Sequence, residues 1–144
     1  MRAVYPTMLV ALSVIASNPT ENTYEEALHF FDYVATHPDA IITFKKSKMI
    51  LAIHSDASHL TEPKARNRAD GHYYMADDDE DQPKGGPVHN VAKIIRNVMA
   101  STADAEIEAL YINSRQAISA QQFLKKMGHT NILRRLFRRT TQQR

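Results

Sequence analysis

The hydrophobic and polar positions of the chain predict two helices, then several strands, then a third helix. Residues 8–16 form the most apolar stretch and indicate a helix packed on a core. Residues 23–26 (TYEE) have the form of a capping box, and apolar residues at helical spacing follow until Pro38. Apolar runs at 40–44 and 49–56, separated by four polar residues, predict a hairpin of two strands.

The second of these strands is apolar on both sides, which is typical of a central strand covered on both faces. Side chains alternate along a strand, so His54 and Asp56 lie on one side and Ile53 and Ser55 on the other. Asp56 closes this buried strand, a position better suited to a site than to solvent.

The following segment is less regular. Residues 58–69 are polar and contain Pro63, which predicts a loop or an irregular extension. Residues 72–76 predict a strand, and residues 88–99 predict further sheet with a break near Lys93.

A long helix is the clearest element of the sequence. Ser101 begins a second capping box, and Gly128 ends the periodic pattern. Residues at three- and four-residue spacing form its expected packing face: Ile107, Leu110, Ser114, Ala117, Gln121 and Leu124. The order of the elements predicts an α/β or α+β fold.

Composition narrows the class of protein. The chain has 144 residues, which fits one domain, and its 43% hydrophobic residues suffice for a core. It has no cysteine, which excludes disulfide scaffolds, thiol catalysis and cysteine zinc sites. No apolar run approaches the ~20 residues of a membrane span. Residues 8–16 also have some features of a secretory signal, so a small secreted α/β protein is an alternative.

Charge is distributed unevenly. Five arginines lie among residues 134–144, whereas the rest of the chain has more acidic than basic residues. Arg134, Arg135, Arg138 and Arg139 are spaced along one face of a possible helix and could bind phosphates, or the segment has no function.

The chain has no glycine-rich phosphate loop, no G-x-S-x-G motif and no H-E-x-x-H motif, so the sequence signals of several common enzymes are missing. The remaining candidate for a functional site is a pair of carboxylates. Asp56 ends a strand and Glu106 begins the long helix, so the fold could bring the two together. Neighbouring carboxylates favour a cation between them, and Mg²⁺ prefers oxygen ligands. Alternatively, Asp56 is a turn residue and Glu106 interacts only with the helix dipole.

Four segments together resemble the ribonuclease H domain of copia-like retrotransposon polyproteins. They are residues 53–60 (IHSDASHL), 62–68 (EPKARNR), 71–74 (GHYY) and 100–110 (ASTADAEIEAL), the last being similar to the family pattern S-S-x-A-E-A-E-x-x-A-L. Each segment is short, but their order is specific, and the resemblance covers roughly residues 5–129.

This resemblance implies a ribonuclease H-like fold, with N-terminal helices, a mixed sheet of about three to five strands and one long helix. It implies that residues 1–40 form a helical segment that follows a reverse transcriptase, residues 41–129 a partial ribonuclease H-like domain, and residues 130–144 a basic tail. In the family, the residues corresponding to Asp56 and Glu106 hold Mg²⁺ or Mn²⁺ and cleave the RNA strand of RNA–DNA hybrids.

The chain departs from the family after the long helix. There the family has a strand bearing T-D-N, whose aspartate is the third essential carboxylate, but no Asp or Glu follows Glu108 here. We therefore expect a truncated fold without the later strands and helices, weak metal binding and no cleavage. An intracellular location, in the cytoplasm or nucleus, follows from the family.

A binding module without catalysis is the alternative function. Lys64, Arg66 and Arg68 alternate along an extended segment and could contact the backbone of a hybrid or of another nucleic acid. The same three residues could instead belong to a solvated loop.

Overall fold

The computed structural model describes residues 8–17, 19–39, 41–62, 64–77, 85–129 and 136–139. The chain divides into two compact units, Met1–Ile42 and Thr43–Arg144. None of the helices in the described ranges is both long and apolar enough to cross a membrane.

The first unit contains two helices, as the sequence predicts: α1 (Leu9–Ser17) and α2 (Glu21–Thr36). The amide of Thr20 donates a hydrogen bond to Thr23 Oγ1 at 2.7 Å. This contact starts α2 earlier than the predicted capping box, because Thr20 takes the capping position and Thr23 becomes the third helical residue.

The second unit is an α/β structure built on a four-stranded mixed sheet. Its elements are β1 (Ile50–Glu62), β2 (Arg66–Ala76), β3 (Pro87–Ile95), α3 (Thr102–Lys126) and β4 (Leu136–Arg139). The strand order is β3-β2-β1-β4. The strand β1 pairs antiparallel with β2, β2 pairs antiparallel with β3, and β4 pairs parallel with β1. The α/β class of this structure confirms the coarse prediction, whereas the ribonuclease H-like fold stays a prediction.

The predicted hairpin is wrong. Residues 41–49 form no strand, and β1 instead continues to Glu62 and pairs with β2. The tight turn between them uses Lys64 and Ala65, both with positive φ (63° and 53°). Most of the polar residues at 58–69, which predicted a loop or an irregular extension, are strand residues, and the register is irregular between Ser58 and Glu62.

The predicted tail also contains structure. Leu136–Arg139 pairs with residues 52–55 of β1, so a strand follows the long helix where none was expected, and a helix is wrong for Arg138 and Arg139. Pairing there satisfies backbone groups of β1 that would otherwise form an open sheet edge. Arg134 and Arg135 lie outside the described residues.

The ends of α3 confirm the prediction. Ser101 Oγ accepts a hydrogen bond from the amide of Asp104 at 3.1 Å, and Gly128 follows the helix with a φ of 90°. Its packing face differs from the predicted one, since Ile107 is 66% exposed. The buried residues of α3 are Ala105, Ala109, Asn113, Ala117 and Leu124. Small side chains let the helix lie close to the sheet.

Two hydrophobic clusters join α3 to the sheet. The larger contains Leu51, Ile53, Tyr73, Ala117 and Leu124. The smaller contains Ala69, Ile95 and Ala109. Both lie on the same face of β1 and β2, which leaves the alternate residues of these strands for the opposite face.

Candidate functional site

The side chain of Asp56 lies on the face of the sheet that is turned away from α3. Its two neighbours show this. Ser55 Oγ accepts a hydrogen bond from Asn113 Nδ2 of α3 at 2.8 Å, and Ala57 packs against the cluster that contains Ala109. Because strand residues alternate, Asp56 has the opposite orientation.

Asp70 is the cross-strand neighbour of Asp56. The two residues are direct partners in the antiparallel register of β1 and β2, an arrangement that places their Cβ atoms about 5 Å apart. Asp56 is exposed and Asp70 is half-buried. Burial raises the pKa of Asp70; the charge of Arg68 opposes this shift, and the charges of Asp56 and Glu62 add to it.

Further polar residues continue this face, which we call the polar face: His54, Asp56, Asp70, His72 and Tyr74. His54 Nε2 lies 2.9 Å from Tyr74 Oη, and His72 Nδ1 lies 2.9 Å from Asn90 Oδ1. The two histidines are cross-strand partners. One ring nitrogen of each histidine thus has a partner in the sheet, and a structural role is sufficient to explain these two contacts.

The predicted nucleic-acid residues divide into two groups. Lys64 is exposed at the turn and Arg66 is partly buried. Arg68, however, is only 1% exposed, and its Nε donates to Glu62 Oε1 at 2.6 Å. This hydrogen bond is the main cause that lowers the pKa of Glu62, against the opposing effect of burial. Arg68 is therefore held inside the fold by Glu62 and presents no surface to a phosphate.

Glu106 belongs to the helix on the other side of the sheet. It is partly buried and lies next to Ala105 and one turn before Ala109, both of which pack on the sheet. The structure thus places Asp56 with Asp70 on the polar face, whereas Glu106 is carried by α3 on the opposite face.

This donor set does not fit a complete Mg²⁺ site. In the described ranges, no three or more His, Asp or Glu side chains are grouped to hold a metal ion. Asp56 and Asp70 alone supply two carboxylates, whereas tightly held Mg²⁺ needs near-octahedral oxygen coordination. The predicted roles of Asp56 and Glu106 as ligands stay predictions.

Asp70 is the residue that sequence reasoning missed as a partner of Asp56. The sequence carries no local signal for this pair, because the register of the two strands shifts between Ser58 and Glu62. Counting outward from the pair Glu62 and Arg66 at the turn without that shift would place Asp56 opposite His72.

Comparison of the chain with family models, curated proteins and solved structures gives no match.

Proposed function

We propose that the chain is part of a ribonuclease H-like domain from a copia-like retrotransposon polyprotein, which binds nucleic acid but does not cleave it. The order of the elements carries the proposal. The sequence resemblance implies a mixed sheet of about three to five strands and one long helix, and the second unit has three antiparallel strands followed by the long helix α3. The fourth strand, β4, was not expected from the resemblance, so the support comes from β1, β2, β3 and α3.

The position of Asp56 also supports the proposal. It lies on an interior strand of the sheet, opposite β2 and one residue beyond the part of β1 that pairs with β4. Glu106 lies near the start of the helix that follows β3. Both positions agree with the order of functional residues in the family that the chain resembles.

Two features argue that cleavage has been lost. Hydrolysis by two metal ions requires carboxylates that converge on the same point, but Asp56 and Glu106 are carried by opposite faces of the sheet. The strand β4 has the sequence LFRR, so it brings no carboxylate to the side of β1.

A nucleic-acid-binding module of unrelated origin is the second candidate. The exposed Lys64 at the turn between β1 and β2 favours it, because a lysine at a protruding turn can contact a phosphate without any catalytic geometry. A preference for hybrid over duplex DNA distinguishes the two candidates, since only a ribonuclease H-like origin predicts that preference.

The experiment is incubation of the full chain with a labelled RNA–DNA hybrid in Mg²⁺ or Mn²⁺, beside an Asp56→Asn variant purified in parallel. We expect both proteins to bind the hybrid more tightly than duplex DNA of the same sequence and to leave it intact. Cleavage by the wild-type chain alone would contradict the loss of activity. Cleavage by both samples would identify a contaminating nuclease, which further purification removes. Absence of binding to the hybrid would overturn the proposal as a whole.

A further inference from the structure

A groove with a volume of about 450 Å³ lies between the edge strand β3 and one side of α3. The edge strand contributes Lys93 and Ile95, and the residues that follow it contribute Arg96 and Asn97. The helix contributes residues of several successive turns: Glu108, Tyr111, Ile112, Arg115, Gln116 and Ser119. This groove is separate from the polar face, because Asp56 and Asp70 lie on the other side of the sheet.

The charges of the groove are predominantly positive. Lys93, Arg96 and Arg115 are all exposed, and none forms an ion pair with a carboxylate in the part of the chain that the structure describes. Glu108 is the single acidic residue of the lining, and its Oε1 accepts a hydrogen bond from Asn97 Nδ2 at 3.3 Å. Three cations against one carboxylate give a local positive potential in a body that is otherwise mildly acidic.

The shape of the groove favours an extended ligand. Its helical wall runs from Glu108 to Ser119, which corresponds to about 16 Å along the helix axis. A nucleic-acid strand carries one phosphate per ~3.4 Å of helix axis, so the groove matches several nucleotides rather than one free phosphate.

An aromatic side chain stands beside these cations. Tyr111 is 57% exposed, and the guanidinium of Arg115 lies 5.9 Å from the centroid of its ring. A tyrosine next to arginine offers a surface on which an unpaired base can stack, with the cation placed for the adjacent phosphate. Ile95 is buried and Ile112 partly buried at the base of the groove.

We propose that this groove binds a single nucleic-acid strand, with Lys93, Arg96 and Arg115 on the backbone phosphates and Tyr111 stacked on a base. The contact requires no metal ion and no particular base sequence. The inference goes beyond the proposed function, because the groove lies away from both Asp56 and the turn at Lys64. Glu108 limits the affinity by repelling the backbone.

The test measures fluorescence anisotropy of a labelled oligothymidylate with the full chain, in the presence of a chelator and over a range of salt. The variant K93Q/R96Q/R115Q removes the three cations of the groove. The matched control K45Q/K46Q/K126Q removes three exposed lysines elsewhere in the same unit. Urea unfolding of each protein verifies that the variants are folded.

We expect the groove variant to lose affinity by about tenfold or more at low salt and the control by much less. The slope of log affinity against log salt should become shallower by about 2 in the groove variant, since each lost phosphate contact on a single strand removes about 0.7. An equal loss of affinity in the two variants would overturn the proposal, because the overall charge of the protein, rather than this groove, would then explain the binding.

Two single substitutions and one competitor test the roles of individual residues and the size of the ligand. Glu108→Gln should tighten binding, and Tyr111→Leu should weaken it by about fivefold or more, because stacking of a base contributes ~1–3 kcal/mol. Tyr24→Leu, a change at an exposed tyrosine of α2, is the control. Displacement of the oligonucleotide by pyrophosphate at an equal phosphate concentration would instead indicate a small-anion site and contradict the proposal. If the chain binds the oligonucleotide but not the RNA–DNA hybrid, the proposed function is refuted and the proposal for this groove stands.

Discussion

Asp56 on β1 and Asp70 on β2 face each other directly across an antiparallel pair of strands. The carboxylate that the sequence assigns to a metal site is thus opposed by a second carboxylate on the same face. Like charges in this position destabilise a sheet. Burial of Asp70 adds to the cost, because its charged form loses hydration, and Asp70 Oδ1 is buried without a hydrogen-bond partner among the described residues.

Replacement of Asp70 by asparagine should stabilise the protein at neutral pH by about 0.5 kcal/mol, since it removes the cross-strand repulsion. The folded-state pKa of Asp70 is raised, so the folded state holds the proton more tightly than the unfolded state. The stabilisation that Asp70 contributes is therefore fully present below the pKa of this group in the unfolded state. It is lost as the pH rises through the pKa of the group in the folded state. Urea unfolding should show the gain of Asp70→Asn at neutral pH and none below the ordinary pKa of aspartate. An equal gain for Asp39→Asn, a change at an exposed aspartate, would refute the explanation.

The ion pair between Glu62 and Arg68 has the opposite pH dependence. The pKa of Glu62 is lowered, so its contribution to stability is present above the unfolded pKa and is lost as the pH falls through the folded pKa. Glu62→Gln should cost about 3 kcal/mol at neutral pH, because Arg68 would stay buried without a counter-charge. Urea unfolding as a function of pH should show this cost disappearing in acid.

Replacement of both partners by apolar residues distinguishes the cost of a buried unpaired charge from the loss of packed side-chain volume. The double variant Glu62→Leu/Arg68→Met should be at least about 2 kcal/mol more stable than Glu62→Gln at neutral pH, since no unpaired charge is left in the interior. A double variant as unstable as the single one would show that this ion pair is a net stabilising contact.

Gly71 packs directly against Asn113 of α3. A Cβ atom at Gly71 would lie 2.2 Å from Asn113 Oδ1, so Gly71→Ala must push the helix or the amide away and should cost about 2 kcal/mol. Gly85→Ala is the matched control, because its nearest contact would be an ordinary 3.5 Å. In the double variant Gly71→Ala/Asn113→Ala, the measured loss in urea unfolding should be smaller than the sum of the two single losses. Strict additivity would contradict a clash between the added methyl group and the Asn113 side chain.

Ser101 caps α3 through its side-chain oxygen. Ser101→Ala should cost about 1 kcal/mol, because the amide of Asp104 would lose its acceptor. Ser119→Ala, the same change in the middle of the helix and exposed to solvent, should be neutral or slightly stabilising since alanine is the better helix former. Thermal unfolding monitored by circular dichroism gives the midpoint temperature of each variant. Equal midpoints for the two variants would disprove the role of Ser101 as a cap.

The elements that the sequence predicts correctly are those with local signals. Ser101 and Gly128 mark the ends of α3 by their own hydrogen bonding and backbone conformation, so no distant contact is needed to locate them. The pattern of residues 50–53, which are apolar and buried on both sides, identifies β1 as an interior strand of the sheet. The ion pair that holds Arg68 inside the fold has no such local signal, because Glu62 and Arg68 meet only when the turn between them is tight.

The packing face of α3 was predicted only in part, for a related reason. Periodicity favours large apolar residues such as Ile107 and Leu110, but close approach to the sheet selects small ones such as Ala105 and Ala109. The predicted strand at 40–44 depended on pairing with residues 49–56 in a hairpin, but residues 50–62 pair with β2 instead. Pairing decides whether such an apolar run becomes a strand. The opposition of Asp56 and Asp70 depends on the register and could not be known before the turn was located.

The side-chain amide of Asn113 also fixes the register in which β1 and β2 pair. Its Nδ2 donates to Ser55 Oγ at 2.8 Å and to the Asp70 carbonyl at 2.9 Å, while its Oδ1 accepts from Tyr73 Oη at 3.0 Å. A slip of β1 by one residue would turn Ser55 to the other face and leave a buried amide hydrogen unsatisfied, at a cost of ~1–3 kcal/mol. One polar side chain in an apolar interface thus selects a single alignment of the sheet from several that burial of alanine, isoleucine and leucine would tolerate.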